Sequence, residues 1–412
     1  MNETPRQPLQ GMTVLISGAS VAGPALAHWL SGYGCTVTVV EKAPALRGGG
    51  FTVDFRGDAH RTVLQRMGIW EEIHHHQTHM GEQVMLDAAG QEQLTLPPEF
   101  MSGEVEIFRG DLSRILYERT RQSVEYVFGD SITSLYDCGD GVWAGFERSA
   151  PRRFDLVVGA DGLHSNVRRL AFGDESRFLH HLGYYVAGFD APNHLGLDRS
   201  ARWFNAPGRA LSMSNYGDSP DRAIVSMVFS SPELSYDRHD IAQQKRILAD
   251  RYAGLGWEVP RALRDLDAAE DLYFDALAQI RMDRYSKGRV VLLGDAGYGA
   301  TMGGMGTGLA IVGAYVLAGE LALHRDHRTA FAAYEAGIRE FAEGCQKTAA
   351  GAGGFLAPAT DKKIRSRNRT YRMLSSRLMS GIFDRLSVKA ANNIRLTDYP
   401  AAVGTSAAFA AA

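Results

Sequence analysis

Three glycine-containing segments have the residue types and spacing to place backbone amides around a phosphate or a polar ring. They are G-A-S-V-A-G (18–23), D-G-L-H-S-N-V-R (161–168), and G-D-A-G-Y (294–298) with G-M-G-T-G-L (304–309) behind it. Each of the three follows a short apolar run, and each alone is a weak signal. Found together, they predict that distant parts of the chain bind one ligand.

The first segment has the spacing of a dinucleotide-binding turn. Gly18 would make the tight turn, Gly23 would allow close helix–strand packing, and Ser20 stands where a second glycine lets backbone approach a pyrophosphate. Glu41 ends the next strand about twenty residues on, where an acid binds ribose hydroxyls. Because a carboxylate there repels a 2′-phosphate, the turn favours FAD or NAD over NADP. Lys42 is a further cofactor-binding candidate.

The elements that must position these segments follow from hydrophobic periodicity. Residues 12–17 and 36–40 read as buried strands on either side of a helix over 21–33, which makes a βαβ unit. Residues 155–159 and 289–293 repeat the buried-strand pattern. The stretch 178–280 is instead rich in aromatic residues and alternating segments, which predicts an antiparallel sheet.

The fold class is therefore predicted to be α/β, with a Rossmann-like parallel sheet, an inserted and mostly antiparallel substrate domain, and C-terminal helices. The predicted domains are 1–177 (cofactor-binding, first part, with a small β excursion at 82–108), 178–280 (substrate-binding), 281–345 (cofactor-binding, second part) and 346–412 (C-terminal helices and tail).

The second segment resembles the central fingerprint of the class A flavoprotein monooxygenases, the single-component aromatic hydroxylases of the para-hydroxybenzoate hydroxylase type. Its D-G-x-x-S-x-x-R pattern is met by Asp161, Gly162, Ser165 and Arg168, and the resemblance makes the Asp161 carboxylate a cofactor-binding candidate. The third segment resembles the family's G-D-A-A-H. The resemblance implies that the cofactor is FAD and that Asp295 hydrogen-bonds its ribitol. It also implies that the amides of the residues that follow point at the flavin pyrimidine; these are Gly306, Thr307 and Gly308.

Further positions match by the same resemblance. Arg109, in F-R-G-D-L, resembles the arginine that contacts FAD near its ribitol and phosphates. Arg47 and Asp54, in R-G-G-G-F-T-V-D, resemble the stretch that passes the isoalloxazine in the tetracycline-inactivating monooxygenases. Two positions depart from the family: Tyr298 replaces its histidine, and the proline that commonly follows is missing from G-A-T-M-G-G (299–304). Glycines there predict a freer loop.

The activity implied by the resemblance is hydroxylation: NAD(P)H reduces bound FAD, O₂ adds at flavin C4a, and the hydroperoxide transfers OH to an electron-rich substrate. We expect that substrate to be an apolar aromatic, quinone or polyketide-like small molecule. Candidate contacts alternate along the inserted strands, where about half must face away; they are Tyr185, Trp203, Phe204, Met213, Asn215, Met227 and Phe229. No catalytic side chain is assigned. The alternatives are a flavin-dependent dehydrogenase or reductase, and a non-catalytic redox sensor.

The composition narrows the partners. The 412 residues are 45% hydrophobic and carry a formal net charge of -3, so no global field favours nucleic acid or anionic lipid. The three cysteines lack metal or redox spacing, and the histidines at 74–79 read as a surface cluster, so no metal site is predicted. With a polar N-terminus, a cytoplasmic location without membrane association is expected. We expect the protein to be a monomer or a homodimer.

Overall fold

The computed structural model describes residues 7–46, 48, 50–98, 102–217, 219–302, 305–324, 326–374 and 393–400. The strands described are β1 Thr13–Ser17, β2 Thr36–Glu41, β3 Thr52–Phe55, β4 Gln83–Leu86, β5 Glu92–Leu96, β6 Val105–Phe108, β7 Glu125–Phe128, β8 Ile132–Asp137, β9 Val142–Phe146, β10 Arg152–Phe154, β11 Leu156–Gly159, β12 Leu179–Pro192, β13 Ser200–Ala206, β14 Arg209–Asn215, β15 Arg222–Ser230, β16 Tyr273–Ile280, β17 Ser286–Lys287 and β18 Val290–Leu292. The α-helices described are α1 Ala22–Gly32, α2 Gly57–Arg66, α3 Trp70–His75, α4 Arg109–Thr120, α5 Asn166–Phe172, α6 Ile241–Tyr252, α7 Val259–Ala268, α8 Asp295–Tyr298, α9 Gly306–His324, α10 His327–Ala349, α11 Ala352–Leu356 and α12 Asp361–Leu374.

The first sheet carries the three glycine segments. Its strand order is β17-β18-β11-β1-β2-β7, and every pair except β17–β18 is parallel. The central strand β1 is covered on both faces, which explains why its sequence is a continuous apolar run rather than an alternating one. The parallel sheet predicted from the sequence is thus confirmed, and β1, β11 and β18 end at its same edge.

The second sheet is the inserted one, with the order β16-β12-β15-β14-β13-β4-β5. All of its pairs are antiparallel except β13–β4, in agreement with the predicted mostly antiparallel sheet. Five of its strands come from 178–280. The other two, β4 and β5, come from the stretch that we assigned to the first domain as a small excursion; they extend the second sheet through the pairing of β4 with β13.

Helices cover both faces of the second sheet. On one face, α6 and α7 contribute Leu248, Tyr252 and Leu266 to a fully apolar core. On the other face, α11 contributes Leu356 to a separate apolar cluster, while α12 lies beside β5. The period of two along each strand therefore divides its side chains between two different environments.

Helix α9 lies in the core of the cofactor domain. By length and composition it could cross a membrane, but 78% of its most apolar stretch is buried inside the protein. It packs against α1, α2 and α10. A helix that is apolar on all sides is expected at such a buried position.

Arg168 joins the second and third glycine segments. Its side chain is fully buried and donates hydrogen bonds to the Ala296 carbonyl (3.0 Å), the Leu163 carbonyl (2.7 Å) and the Glu175 carboxylate (2.8 Å). A buried guanidinium is tolerated because these acceptors offset its desolvation. The arginine of the second segment therefore holds the helix that begins at Asp295.

We predict that Arg168→Met lowers the free energy of unfolding by about 2–4 kcal/mol, because it leaves two carbonyls without their side-chain donor and removes one of the partners of the Glu175 carboxylate. Urea denaturation measures this change. The matched control is Arg169→Met, since Arg169 is exposed and its side chain donates to the neighbouring Asn166 side chain. Equal stability of the two variants would contradict the role given to Arg168.

Candidate active site

The three glycine segments meet at the carboxyl edge of the first sheet. Backbone hydrogen bonds continue past the strand ends: Gly18 donates to Val40 (2.8 Å), Ala160 donates to Ser17 (2.8 Å), and Leu293 donates to Gly159 (2.8 Å). These bonds hold four neighbouring strand ends in one row. Ligands of open α/β sheets bind at this edge, outside the carboxyl ends of the strands.

The glycines of the first segment permit a very close approach of backbones. Gly18 has φ +106°, and a Cβ on it would lie 2.4 Å from the Ala160 carbonyl oxygen. A Cβ on Gly23 would lie 1.9 Å from the Gly18 carbonyl oxygen. Both distances are far below contact, so only glycine lets α1 begin directly at the strand end. Ser20 is exposed between them, with its hydroxyl 3.4 Å from that of Ser113.

Glu41 lies beside the turn, as its spacing predicts. One of its oxygens accepts the Ala19 amide (2.9 Å) and the other accepts the Ala43 amide (2.9 Å). The carboxylate is only partly buried, so its remaining acceptor positions face outward. Lys42, the next residue, is exposed.

Asp161 has a different role from the one expected. Its carboxylate accepts the amides of Asn166 (2.9 Å) and Val167 (3.1 Å) and the hydroxyls of Ser17 (3.2 Å) and Ser165. Burial raises its pKa, and these hydrogen bonds oppose that shift. Its oxygens are thus engaged within the protein. We correct the assignment: Asp161 caps α5 and positions the second segment rather than offering a free carboxylate.

Asp295 begins the short helix α8 next to the start of α9. A Cβ on Gly306 would lie 3.7 Å from its Oδ1. Burial raises the pKa of Asp295, opposed by a hydrogen bond from the Ala300 amide and by the positive charge of Arg109. The side chain of Arg109 also approaches Gly50, whose added Cβ would lie 3.0 Å from the guanidinium. The structure therefore places Asp295, Arg109 and the α9 N-terminus around one space.

The first residues of α9 divide between two environments. Gly306 and Thr307 are partly exposed, whereas Gly308 is buried. A Cβ on Gly308 would lie 2.3 Å from the ring of His60, a buried residue on α2 that the sequence analysis did not single out. Burial lowers the pKa of His60 to about 4, so the ring is neutral at pH 7. No local sequence pattern marks it.

The stretch that resembles the isoalloxazine-passing segment is partly described. Arg47 lies outside the described residues. Asp54 is on β3, directly opposite Glu106 on β6, and pairs with the guanidinium of Arg56. Burial raises the pKa of both carboxyls, and for Asp54 the Arg56 charge opposes the shift. Asp54 is thus a buried, paired carboxyl at the β3–β6 ribbon.

The candidate substrate residues separate by strand face. Most of them lie in the apolar core between the second sheet and helices α6 and α7, which removes them from substrate contact; these are Tyr185, Phe204, Met213, Met227 and Phe229. Asn215 is also corrected, because its amide bonds the carbonyls of Ser219 and Arg222 and so holds a turn. Only Trp203 faces the other side, where its indole donates to Gln83 (2.8 Å).

No pattern in the sequence marks the residues that surround Trp203. The apolar cluster on that face of the second sheet includes side chains from several elements, and partly buried ones lie at its border; the latter include Phe51, Tyr184, Tyr216, Met302, Phe355 and Tyr371. We call the whole cluster, with its buried and its partly buried members, the groove cluster. Phe51 and Met302 belong to the cofactor-domain segments beside Arg109 and α9, so the cluster bridges both domains. Periodicity alone could not find residues that come from separate loops and helices.

His164, within the second segment, connects the two domains. Its ring nitrogens lie 3.0 Å from the Glu175 carboxylate and 3.2 Å from the Asp275 carboxylate on β16. Burial lowers the pKa of His164, but the hydrogen bonds to Asp275 and Glu175 outweigh it and raise the pKa to about 9. At pH 7 the ring is therefore an imidazolium between two carboxylates.

The fit of the site to a dinucleotide rests on the glycine contacts and the polar groups around them. The close approach at Gly18 and Gly23 leaves the α1 amides open at the strand edge, and the N-terminus of α9 is a second such position. Between them lie Asp295 and Arg109, a carboxyl and a guanidinium suited to a polyol and to phosphates. Within the described part of the chain, no group of three or more His, Cys, Asp or Glu side chains could hold a metal ion.

Comparison with known proteins agrees with this geometry. A family model described as an FAD binding domain matches residues 11–181. A flavin-dependent monooxygenase of Legionella longbeachae is 37% identical, over 82% of this chain and 88% of the relative. The chain therefore belongs to the FAD-dependent monooxygenases of class A.

Solved structures extend the likeness over nearly the whole chain. The tetracycline destructase Tet(55) superposes with a TM-score of 0.81 at 34% identity, covering 96% of this chain and 100% of the other. Klebsiella pneumoniae HpxO, complexed with FAD and uric acid, gives a TM-score of 0.73 over 92% of this chain and 98% of the other. At 20% identity, HpxO supports the fold alone. The α/β fold with its FAD-binding sheet and the monooxygenase class, both predicted from the sequence, are confirmed.

For the first segment, we predict that Gly23→Ala weakens FAD binding at least about tenfold, because the new methyl group forces α1 away from the strand end. Titration of the apoprotein with FAD, followed by fluorescence quenching, measures the affinity. Gly337→Ala is the control, since its Cβ would meet only Val316 at 3.5 Å in the middle of α10. Unchanged FAD affinity in Gly23→Ala would argue against a role of the first segment in FAD binding.

For His164, we predict that stability falls as pH rises. The pKa in the folded protein, about 9, lies above the ordinary 6.5, so the contribution is complete below pH 6.5 and lost through pH 9. Solvent screening reduces the contribution to roughly 1–2 kcal/mol. Urea denaturation of wild type and His164→Asn between these pH values tests it. His239→Asn, at an exposed position, should keep the wild-type slope; a wild-type slope in His164→Asn would refute the prediction.

Proposed function

We propose that this monooxygenase uses NAD(P)H and O₂ to hydroxylate an apolar aromatic, quinone or polyketide-like small molecule. The observation that carries the proposal is the groove cluster, in which Trp203 and Met85 of the second sheet meet Phe51 and Met302 of the cofactor domain. Aromatic and thioether side chains bind flat apolar molecules through dispersion and ring contacts. A substrate held there would lie between the second sheet and the segments that lead to the proposed FAD site.

The chain's own residues would hold FAD along the strand edge. The α1 N-terminus would bind the pyrophosphate, Glu41 the ribose, and Asp295 with Arg109 the ribitol and its phosphate. The exposed amides of Gly306 and Thr307 would meet the electron-rich edge of the flavin ring, where a helix N-terminus stabilises negative charge. Bound FAD would supply the redox chemistry with NAD(P)H and O₂.

Helices α11 and α12 would keep water from the groove cluster. Arg367 on α12 donates to the Phe355 carbonyl (2.7 Å) and to the Asn205 side chain (2.8 Å). The Asn205 amide in turn donates to the Leu356 carbonyl (2.7 Å). These bonds fix the two helices on the second sheet, and a covered apolar site favours oxygen transfer over side reactions with water.

The choice of test compounds follows from the relatives. Tet(51) and Tet(55) are tetracycline destructases, so tetracycline is the first compound to test here, beside simple phenols and quinones. We propose that NAD(P)H reaches the cofactor transiently at the cleft between the two domains.

The test is NAD(P)H-dependent oxygen uptake by the purified protein with each compound. We expect a true substrate to accelerate uptake about tenfold or more and to gain the mass of one oxygen atom. Flat oxygen uptake with every compound, while NAD(P)H is consumed by another electron acceptor, would support a dehydrogenase instead.

We predict that Asp295→Ala yields protein without bound flavin, because the variant loses the proposed partner of the ribitol. The absorbance of the purified protein reports its flavin content. Asp283→Ala removes an exposed carboxylate after β16 and should stay fully yellow. A fully yellow Asp295→Ala would refute the assignment.

A further inference from the structure

The loop that lacks the family's proline is hydrogen-bonded to the second sheet. The Ile280 amide donates to the Gly299 carbonyl (3.2 Å), and the Thr301 amide donates to the Ala278 carbonyl (3.3 Å). Gln279 and Ala300 form an antiparallel bridge between them. Residues 299–301 therefore extend the edge of β16 that faces away from β12. The freer loop expected from the sequence is, in its described part, an ordered addition to a sheet.

The Thr301 hydroxyl closes this pairing. It accepts the Ala278 amide (2.7 Å) and lies 2.7 Å from the Ala278 carbonyl, to which it donates. Ala278 is fully buried, so without the hydroxyl its amide would be a buried donor lacking an acceptor. A proline at position 301 would have neither the hydroxyl nor the amide hydrogen. Hydrogen bonds therefore order this segment without a proline ring.

A second anchor holds the same loop from α10. The Gln346 amide donates to the carbonyls of Ile280 (2.7 Å), Tyr298 (3.3 Å) and Gly299 (3.4 Å). The Gln279 amide donates in return to the Gln346 carbonyl (2.6 Å). The end of β16, the loop and α10 are thus tied at one point.

The loop joins the flavin side of the molecule to the substrate side. It follows Asp295, and the next residue after Thr301 is Met302, which has φ +55° and packs on the groove cluster. A non-glycine residue in this backbone conformation needs its neighbours to hold it there. Thr301 is the neighbour whose contacts are fixed to the second sheet.

We propose that Thr301 is a positioning residue that clamps the flavin-side loop to β16 and thereby couples the substrate sheet to the FAD site. The clamp aligns Asp295 with the cofactor on one side and presents Met302 to the substrate on the other. This role rests on FAD binding at the strand edge. It belongs to the hydroxyl of this chain's Thr301 and not to the shape of its side chain.

The experiment compares Thr301→Val, which removes the hydroxyl at nearly constant shape, with Thr301→Ser, which keeps it. Thr133→Val, at an exposed position on β8, is the matched control. FAD affinity is measured by fluorescence quenching of apoprotein, and amide hydrogen exchange is measured over residues 274–280 and 299–302 with and without FAD. If Thr301→Val does not fold, Thr301→Cys replaces it, because sulfur is a weak acceptor of similar size.

We expect Thr301→Val to bind FAD about tenfold more weakly. We also expect faster exchange in these two stretches while β1 and β2 exchange as in wild type. Thr301→Ser should restore both properties, and Thr133→Val should change neither.

The proposal is overturned if Thr301→Val keeps wild-type affinity and exchange, or if Thr301→Ser behaves like Thr301→Val. Faster exchange throughout the protein would also overturn it, since that marks general destabilisation. A wild-type protein that binds no FAD would instead contradict the proposed function, and the exchange of the apoprotein would still report on the clamp.

Discussion

The site depends on a row of backbone hydrogen bonds that continues past the ends of β2, β1, β11 and β18. These bonds bring the first, second and third glycine segments to one edge, although well over a hundred residues separate each from the next. The close contact of Gly18 and Gly23 then sets where α1 begins. Amides at helix starts can bind a phosphate or an anionic ring edge only if their positions are fixed in advance.

Buried charged side chains help to hold the three glycine segments at this edge. Arg168 and Asp161 belong to the segment that resembles the family fingerprint most closely, yet both are hydrogen-bonded within the protein. Each is stable when buried because several partners replace its hydration. The fingerprint therefore holds α5 and α8 in place, and the proposed contacts with the cofactor fall to Asp295, Arg109 and the α9 N-terminus.

The two domains are in contact along β16 and at the groove cluster. His164 reaches Asp275 on β16, Thr301 reaches Ala278 on the same strand, and Phe51 joins the groove cluster. A single edge strand thus carries contacts from two cofactor-domain segments. If FAD binds as proposed, the hydrogen bonds between residues 299–301 and β16 join the loop on the flavin side to the second sheet.

The sequence by itself determined the βαβ unit, the three glycine segments, the family and the mostly antiparallel insert. The βαβ unit, the glycine segments and the insert follow from local spacing and apolar periodicity along the chain. The family follows from the resemblance of the second and third segments to known motifs. Only the tertiary structure decided that Phe204 belongs to one apolar core while Trp203 belongs to the groove cluster on the other face, because alternation defines two strand faces without saying what covers each. It also decided that the Asp161 carboxylate is occupied and that residues 299–301 pair with β16. Those outcomes depend on backbone amides and carbonyls, which every residue type except proline shares and which no side-chain pattern reveals.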